Sequence, residues 1–205
     1  PNWAEDFFVT NDHIKIEREK YSIPKGFIVM FAGNIGEAQD LEMVLKAAEQ
    51  TKENENIKWV FVGDGRKSKW LKENIKNKKL SKTVKLLGRH PSESMPYFFK
   101  HADVMLVSLK DEFIFSLTVP SKVQCYMASS KPVLTMLNGV GNEVVLEAGC
   151  GFTASAGDYN KLAKNVIKSS NISAKNLEEK GDNAFKYYQN NFSKKKIIDN
   201  FIQDL

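Results

Sequence analysis

Short apolar runs alternate along this chain with longer runs in which apolar residues recur every three or four positions. The short runs have the length of β-strands and are apolar on both faces, which is typical of strands buried inside a parallel sheet. The longer runs have the spacing of amphipathic helices. Six strands are predicted, at residues 27–32, 57–62, 84–87, 103–108, 132–136 and 151–154.

Helical patterns fill the intervals between these strands and continue after the last one. We predict helices at residues 39–52, 65–79, 92–102, 120–130, 142–148, 158–170, 173–190 and 194–204. This alternation predicts an α/β fold, namely a Rossmann-like, doubly wound parallel sheet of about six strands. The 205 residues are enough for one such domain.

Composition limits the classes of partner. The net charge is +5, and the lysines are spread over the predicted helices, which favours solvated helix faces over a nucleic-acid-binding stripe. A basic balance also suits a polyanionic small ligand or an anionic membrane surface. Cys125 and Cys150 lack metal-ligand spacing, so we expect free thiols in a reducing, cytoplasmic compartment. The chain begins at Pro1, from which we expect a piece of a longer protein.

Ligands of doubly wound sheets bind outside the carboxyl ends of the strands. Gly33 and Gly36 follow the first strand, where glycine allows close backbone approach and the N–H groups of a following helix attract phosphate. A tight turn without a ligand is an equal alternative, and the loop is neither G-x-G-x-x-G nor a P-loop. After the second strand, Asp64 is predicted to cap a helix, with Arg66 and Lys67 either reaching a phosphate or simply solvated.

Three further strand ends carry candidate side chains. Arg89 and His90 follow the third strand, where they would flank a base whose edge the backbone reads. Pro120 predicts a helix start, which places Ser121 and Lys122 where an anion is favoured.

The apolar run 113–115 lies in a predicted loop before this helix. It either packs under the sheet, forms a pocket wall or awaits a second domain. Asn142 and Glu143 begin another predicted helix, Asn142 as a cap and Glu143 as an acceptor from sugar hydroxyls. No Ser-His-Asp order, zinc spacing or close carboxylate pair is assigned, so the residues predict binding more clearly than a reaction.

Five segments in this order resemble the carboxyl-terminal half of group 1 (family 4) glycosyltransferases of the GT-B fold. They are GNIGEAQDL (33–41), VGDG (62–65), LLGRHPSESMPYFFKHADVMLVSL (86–109), VPSKVQCYMASSKPVL (119–134) and the spacing of Gly151, Asp158 and Leu162. The likeness is strongest to bacterial enzymes of surface-polysaccharide and lipopolysaccharide synthesis, including the N-acetyl-fucosamine transferase type.

The resemblance implies that this chain binds a nucleotide-sugar donor, with UDP as the expected nucleotide. The run Gly33, Asn34, Ile35 and Gly36 would approach the diphosphate, residues 88–90 would hold the base, and residues 120–122 would face the diphosphate and the sugar. It also implies transfer with retention and without a metal or other cofactor. An amino-terminal domain absent from this chain would hold the lipid-linked or saccharide acceptor, with residues 1–20 crossing between the domains.

The chain departs from the family pattern at the diphosphate loop. Asn34 stands where the broad family has Arg, and Gln39 and Asp40 stand where it has Lys-Gly. The positive potential would then come from helix amides, from Lys122, and from Arg66 or Lys67. Lys122 is the expected stabiliser of the leaving diphosphate.

A second departure concerns the ribose. Leu117 and Cys125 stand where the broad family has two glutamates, the second of which contacts the ribose hydroxyls. A non-catalytic nucleotide-sugar-binding module is therefore an alternative to the transferase. A UDP-sugar epimerase is a weaker one, because such enzymes need carboxylates and histidines that have no match here.

The stretch 193–205 predicts a terminal amphipathic helix. Its apolar face consists of Ile197, Ile198, Phe201, Ile202 and Leu205. We expect this face to pack on its own domain or on the absent one. The alternative is a membrane-surface helix with a basic lip, which would give a peripheral contact with the cytoplasmic face of the inner membrane.

Overall fold

The computed structural model describes residues 4–9 and 17–203 of the chain. Six strands form one parallel sheet: β1 (Phe27–Ala32), β2 (Ile57–Val62), β3 (Val84–Gly88), β4 (Val104–Ser108), β5 (Val133–Met136) and β6 (Gly151–Ala154). Their order is β3-β2-β1-β4-β5-β6, so the chain reverses its direction of growth between β1 and β4. The predicted Rossmann-like, doubly wound sheet is confirmed.

Helices occupy the predicted intervals, with different boundaries. They are α1 (Leu41–Thr51), α2 (Ser68–Asn77), α3 (Met95–Lys100), α4 (Phe113–Ser116), α5 (Ser121–Ala128), α6 (Val140–Glu147), α7 (Tyr159–Ser170), α8 (Ala174–Asn191) and α9 (Lys194–Gln203). Short 3-10 turns at Asp6–Phe8, Glu37–Gln39 and Ser92–Ser94 precede or separate them. The prediction of a loop at 113–115 is wrong, because α4 forms there and leaves Phe113 and Ile114 80% and 62% exposed.

Both faces of the sheet are covered, which explains why the strands are apolar throughout. Along β1, alternate residues enter different cores: Phe27, Val29 and Phe31 pack with α1, α2 and α7, whereas Ile28 and Met30 pack with α3, α5 and α8. Within the described residues, no helix combines the length and the apolarity that crossing a bilayer requires.

The two ends of the chain lie partly outside the described residues. Of the predicted crossing segment, residues 1–3 and 10–16 are outside, while Phe8 stacks on Phe99 with ring centroids 5.7 Å apart. The predicted terminal helix forms as α9, in which Ile198 and Ile202 are 42% and 63% exposed. Leu205 and the side chain of Phe201 lie outside the description.

A tyrosine hydroxyl separates the carboxyl ends of β1 and β4. The two strands pair only at Val29 with Val104 and at Met30 with Met105. Beyond that register, the Ala32 N–H donates to the Tyr126 hydroxyl at 3.1 Å, and the same hydroxyl donates to the Ala32 carbonyl at 3.1 Å. The hydroxyl therefore replaces a strand partner, and a crevice opens where the strand order reverses.

Replacing Tyr126 with Phe is expected to destabilise the fold by about 1–3 kcal/mol, because it leaves the buried N–H and C=O groups of Ala32 without a partner. Urea unfolding should show a lower midpoint with an unchanged slope. The matched control is Tyr187→Phe, which removes a hydroxyl that donates to Glu147 near the surface. Equal losses in the two variants would contradict the role assigned to Tyr126.

Candidate functional site

The loops after β1, β2 and β3 enclose a cleft of about 520 Å³ at the carboxyl edge of the sheet. It lies beside the crevice between β1 and β4, where ligands of doubly wound folds bind. Five of the predicted site residues line it, namely Gly33, Asn34, Asp64, Arg89 and His90, together with Val62, Gly63, Gly65, Ser92 and Met95.

Two glycines let the ends of β1 and β2 approach each other at the cleft floor. Gly33 and Gly63 have φ angles of +126° and +136°, a conformation that L side chains rarely adopt. A Cβ on Gly63 would lie 1.9 Å from the Gly33 carbonyl oxygen. At these two positions the floor of the cleft therefore consists of backbone alone.

The first and second loops are tied together by backbone hydrogen bonds. The Ile35 N–H donates to the Asp64 carbonyl at 2.9 Å, and the Lys67 N–H donates to the Ile35 carbonyl at 3.0 Å. Gly65 is required at this contact, since a Cβ there would lie 2.5 Å from the Ile35 oxygen. The buried Ile35 thus supports the loop and does not face the cleft.

The amides at the start of α1 do not reach this cleft. After Gly36 comes a 3-10 turn, and Asp40 precedes α1 with a φ of 47°. Gly36 and Asp40 line a separate cavity of about 150 Å³. Burial raises the pKa of the Asp40 carboxyl, and an anion bound nearby would make its ionised form still less favourable. The phosphate-binding amides expected from this helix are thus displaced from the site.

Lys122 occupies a smaller cavity of about 130 Å³ that shares Gly33 and Met95 with the main cleft. Ser121 lines the same cavity. The lysine stem lies against Gly33, because a Cβ on that glycine would be 2.9 Å from the Lys122 Cε. Burial lowers the pKa of the Lys122 ammonium. This side chain is the cation that α5 brings to the edge of the site.

Gln39 orients the Lys122 ammonium. Its Oε1 accepts from the Lys122 Nζ at 3.4 Å, and the ammonium lies 5.2 Å from the centroid of the Phe31 ring. Gln39 is 7% exposed, and its backbone carbonyl accepts from the Ser108 hydroxyl at 2.6 Å. The end of β4 therefore holds Gln39, which in turn positions the lysine.

His90 and Arg89 form the wall of the cleft that follows β3. The His90 Nε2 lies 3.1 Å from the Leu87 carbonyl, which can only accept, so this nitrogen carries the hydrogen. The imidazole packs against Phe98 and Tyr21, with ring centroids 4.6 and 5.4 Å away. With the hydrogen on Nε2, the acceptor of the uncharged imidazole is Nδ1.

Asp64 stays ionised on the opposite side of the cleft. The Ser68 hydroxyl, the Gly65 amide and the Arg89 guanidinium hold the pKa of its carboxyl below the usual range. Its Oδ1 accepts from the Gly65 N–H at 2.8 Å. Asp64 thus stabilises its own turn and does not cap α2, whose N-cap residue is Lys67.

Two predicted phosphate ligands of the second loop lie away from the cleft. Arg66 is exposed and is not among the lining residues. The Lys67 ammonium is 3.0 Å from a carboxylate oxygen of Glu37, whose other oxygen is 3.8 Å from the Lys110 ammonium. Lys67 therefore serves an ion pair between the first two loops.

Asn142 is a structural residue and does not cap α6. It accepts from the Thr135 hydroxyl and donates to the Leu137 and Ala154 carbonyls. These bonds tie the ends of β5 and β6 together. The N-cap residue of α6 is Gly139, and Glu143 is exposed in the first turn of this helix. At the start of α5, Pro120 is the N-cap residue.

Leu117 and Cys125, which stand in place of the two glutamates of the family pattern, lie in different surroundings. Leu117 is 52% exposed, outside both cavities. Cys125 lines the Lys122 cavity, where burial raises the pKa of its thiol to about 11. A neutral thiol cannot accept from ribose hydroxyls as a carboxylate does.

Several site residues were not predicted. Met95 and Ser92 line the main cleft, and Phe8, Phe99 and Tyr126 line the Lys122 cavity. The position of Ser92 after a strand was a usable signal, whereas nothing in the sequence pattern marks Met95. Among the described residues, no three His, Cys, Asp or Glu side chains are grouped as metal ligands.

Known proteins share this fold and part of this sequence. The chain is 30% identical over 139 residues to the probable glycosyltransferase WbjE of Pseudomonas aeruginosa, which covers 67% of this chain and 34% of the relative. The crystal structure of Anabaena Alr3699/HepE with UDP and glucose superposes with a TM-score of 0.75 at 19% identity, covering 91% of this chain and 50% of that one.

A third similar protein is WaaG, a glycosyltransferase involved in lipopolysaccharide biosynthesis. Its crystal structure gives a TM-score of 0.72 at 16% identity and covers 92% of this chain and 50% of that one. The chain thus spans about a third of the curated relative and half of the two structural ones. Residues 13–187 match the model of the group 1 glycosyl transferases, and this chain belongs to that family.

Proposed function

We propose that this chain is the donor-binding domain of a retaining glycosyltransferase. The enzyme would transfer a sugar from a UDP-sugar to a lipid-linked or saccharide acceptor in cytoplasmic synthesis of surface polysaccharide. One observation carries the proposal: at the switch point of the sheet, a bare-backbone cleft is joined to a cavity holding a part-buried lysine. HepE, which has the same fold, binds UDP and glucose, and WaaG acts in lipopolysaccharide synthesis, which supports the substrate class.

Lys122 is the group we assign to the leaving diphosphate. Negative charge develops on the β-phosphate as the bond between the sugar and the phosphate breaks. An ammonium fixed near that oxygen lowers the barrier, and more so where little water screens it. Gly33 has no side chain to keep the diphosphate from the Lys122 cavity. The proposal includes no metal in this role.

Arg89 and His90 are the groups we assign to the base. Their loop follows β3 and forms the wall of the cleft away from Lys122. The Nδ1 of a neutral His90 accepts a hydrogen bond, which suits the N–H edge of uracil. The guanidinium of Arg89 adds a flat cationic surface for the ring.

The acceptor domain is the partner we propose for the exposed apolar residues of α4 and for Leu117, which follows it. Phe113, Ile114 and Leu117 are 80%, 62% and 52% exposed after β4, at the same edge of the sheet as the cleft. Large exposed apolar groups on a soluble domain mark contact surfaces. A domain seated there would bring the acceptor towards the donor sugar. We also propose that the sugar transferred is N-acetyl-fucosamine.

A binding module without catalysis is the second candidate, favoured by the neutral Cys125 in place of a carboxylate. It predicts binding of UDP-sugars without turnover. Full-length protein should be assayed for transfer and hydrolysis across a panel of UDP-sugars, with and without EDTA. Turnover that resists EDTA supports the transferase without a metal. Its complete absence in protein that binds UDP favours the module, and turnover lost with EDTA would refute the metal-free mechanism.

Lys122→Ala is expected to weaken UDP binding roughly tenfold to a hundredfold, as loss of a charge-assisted contact worth about 1.5–3 kcal/mol implies. The melting point without ligand should change little, because burial already opposes the charged form of Lys122. Thermal shift with UDP measures both effects, since a ligand at a hundred times its Kd adds about 2.7 kcal/mol.

The control for this variant is Lys161→Ala, which removes an exposed lysine from α7. Its UDP shift should equal that of the unchanged chain. An unaltered UDP shift in Lys122→Ala would remove Lys122 from the site. The absence of a shift with any nucleoside diphosphate, in folded protein, would refute donor binding itself.

UDP binding is also expected to weaken in alkaline solution. The charged lysine favours the diphosphate, and the lowered pKa of Lys122 means that this charge is present below that pKa and lost as the pH rises through it. Calorimetric titration with UDP from neutral pH to about pH 10 should show the fall earlier than an ordinary lysine would produce it. The fall should be smaller in Lys122→Met, in which only ionisation of the uracil N–H remains; a variant with an unchanged pH profile would contradict the assignment.

A further inference from the structure

Positive charge is concentrated in one part of this chain. Of the twenty residues from 66 to 85, nine are Lys or Arg and one, Glu73, is acidic. This stretch carries +8 while the whole chain carries +5, so the remaining residues sum to −3. Although lysines occur on many of the helices, the excess of positive charge therefore lies within residues 66–85.

The fold gathers this charge on one exposed surface. α2 buries Leu71 and Ile75 against the sheet, while Lys69, Lys72 and Lys76 lie on its solvent side at a helical spacing. Exposed basic residues extend the surface at both ends of the helix. We define the α2 basic face as Arg66, Lys69, Lys72, Lys76 and Lys79.

Counterions within the domain do not neutralise the centre of this face. The neighbouring Lys67, Lys78 and Lys82 pair with Glu37, Glu49 and Glu55, at 3.0, 2.7 and 3.5 Å. Among the described residues, no carboxylate forms an ion pair with Lys69, Lys72 or Lys76. Three adjacent ammonium groups in one helical stripe repel each other, and an external polyanion would relieve that repulsion.

The composition of the face decides which polyanion fits. The large exposed apolar side chains of the described residues, such as Phe113 and Leu146, all lie outside residues 66–85, so the face lacks the buried anchors of a protein interface. The aromatic residue of this stretch, Trp70, packs partly buried against the core with the Lys67 ammonium 5.3 Å from its ring centroid, so it is not an exposed stacking platform for nucleic-acid bases. A planar anionic surface needs neither feature, only clustered lysines.

We propose that the α2 basic face adsorbs to a bilayer surface that contains anionic phospholipid. The contact is electrostatic and peripheral, without insertion of apolar side chains. Gly65, which lines the donor cleft, lies three residues before α2. Adsorption through this face therefore brings the rim of the cleft near the membrane surface. The proposal does not depend on the identity of the nucleotide bound.

The test is co-sedimentation of the chain with vesicles of phosphatidylcholine alone or with added phosphatidylglycerol. The variant Lys69→Gln/Lys72→Gln/Lys76→Gln removes the stripe. Its matched control, Lys161→Gln/Lys164→Gln/Lys168→Gln, makes the same charge change with the same spacing in α7, where all three lysines are also exposed. A third variant replaces Lys69, Lys72 and Lys76 with Arg. Melting points and UDP shifts establish that each variant is folded and that the donor cleft is intact.

We expect binding to phosphatidylglycerol vesicles that falls with salt, and none to phosphatidylcholine alone. The partition coefficient should drop about fivefold for each stripe lysine removed, remain near the original value in the Arg variant, and change far less in the α7 control. Equal losses in the α2 and α7 variants would overturn the assigned face. Absence of vesicle binding at low salt, or tighter binding to a single-stranded RNA than to the vesicles, would overturn the lipid partner.

Discussion

The hydrogen bonds between the Tyr126 hydroxyl and Ala32 set the shape of the functional edge. A parallel sheet would otherwise continue its ladder from β1 into β4 up to the ends of both strands. The hydroxyl satisfies the donor and the acceptor of Ala32 at 3.1 Å each, so the two strands separate without leaving buried polar groups unpaired. The cavity of Lys122 lies at this separation, because Ala32, Gly33 and Tyr126 line it together with Lys122, which belongs to the same helix as Tyr126, α5.

The site combines close backbone approach with a small number of cations. Gly33, Gly63 and Gly65 bring two loops into contact, and any side chain larger than hydrogen at Gly63 or Gly65 would collide with backbone. Where the family pattern has cationic residues, this chain has Asn34 and Gln39. Gln39 does not supply charge; it orients Lys122, which supplies it. In the proposed function, one part-buried cation placed by a buried amide does what the family pattern assigns to several residues.

Charged side chains are arranged differently in two regions of the domain. Near the cleft, Lys67 and Lys110 are bound to Glu37, so the loops there are held together by internal ion pairs. On the outer surface of α2, the lysines face solvent without such partners among the described residues. The first arrangement holds the loops of the cleft together, and the second leaves charge available to an external polyanion.

The amino-acid sequence by itself determined the class of fold and the strand ends that carry the candidate site, and the resemblance of its ordered motifs indicated the family. The class of fold follows from periodicity, and the candidate strand ends follow from glycine and proline there, which act locally. The tertiary structure alone decided which of the candidate side chains meet. Arg66, Lys67 and Asn142 were candidates beside Lys122 in sequence, but ion pairs, solvent exposure and strand-end hydrogen bonds keep them from the cleft. The sequence did not predict that Met95 and Tyr126 line the cavities, because the direction of a side chain depends on packing between segments distant in sequence.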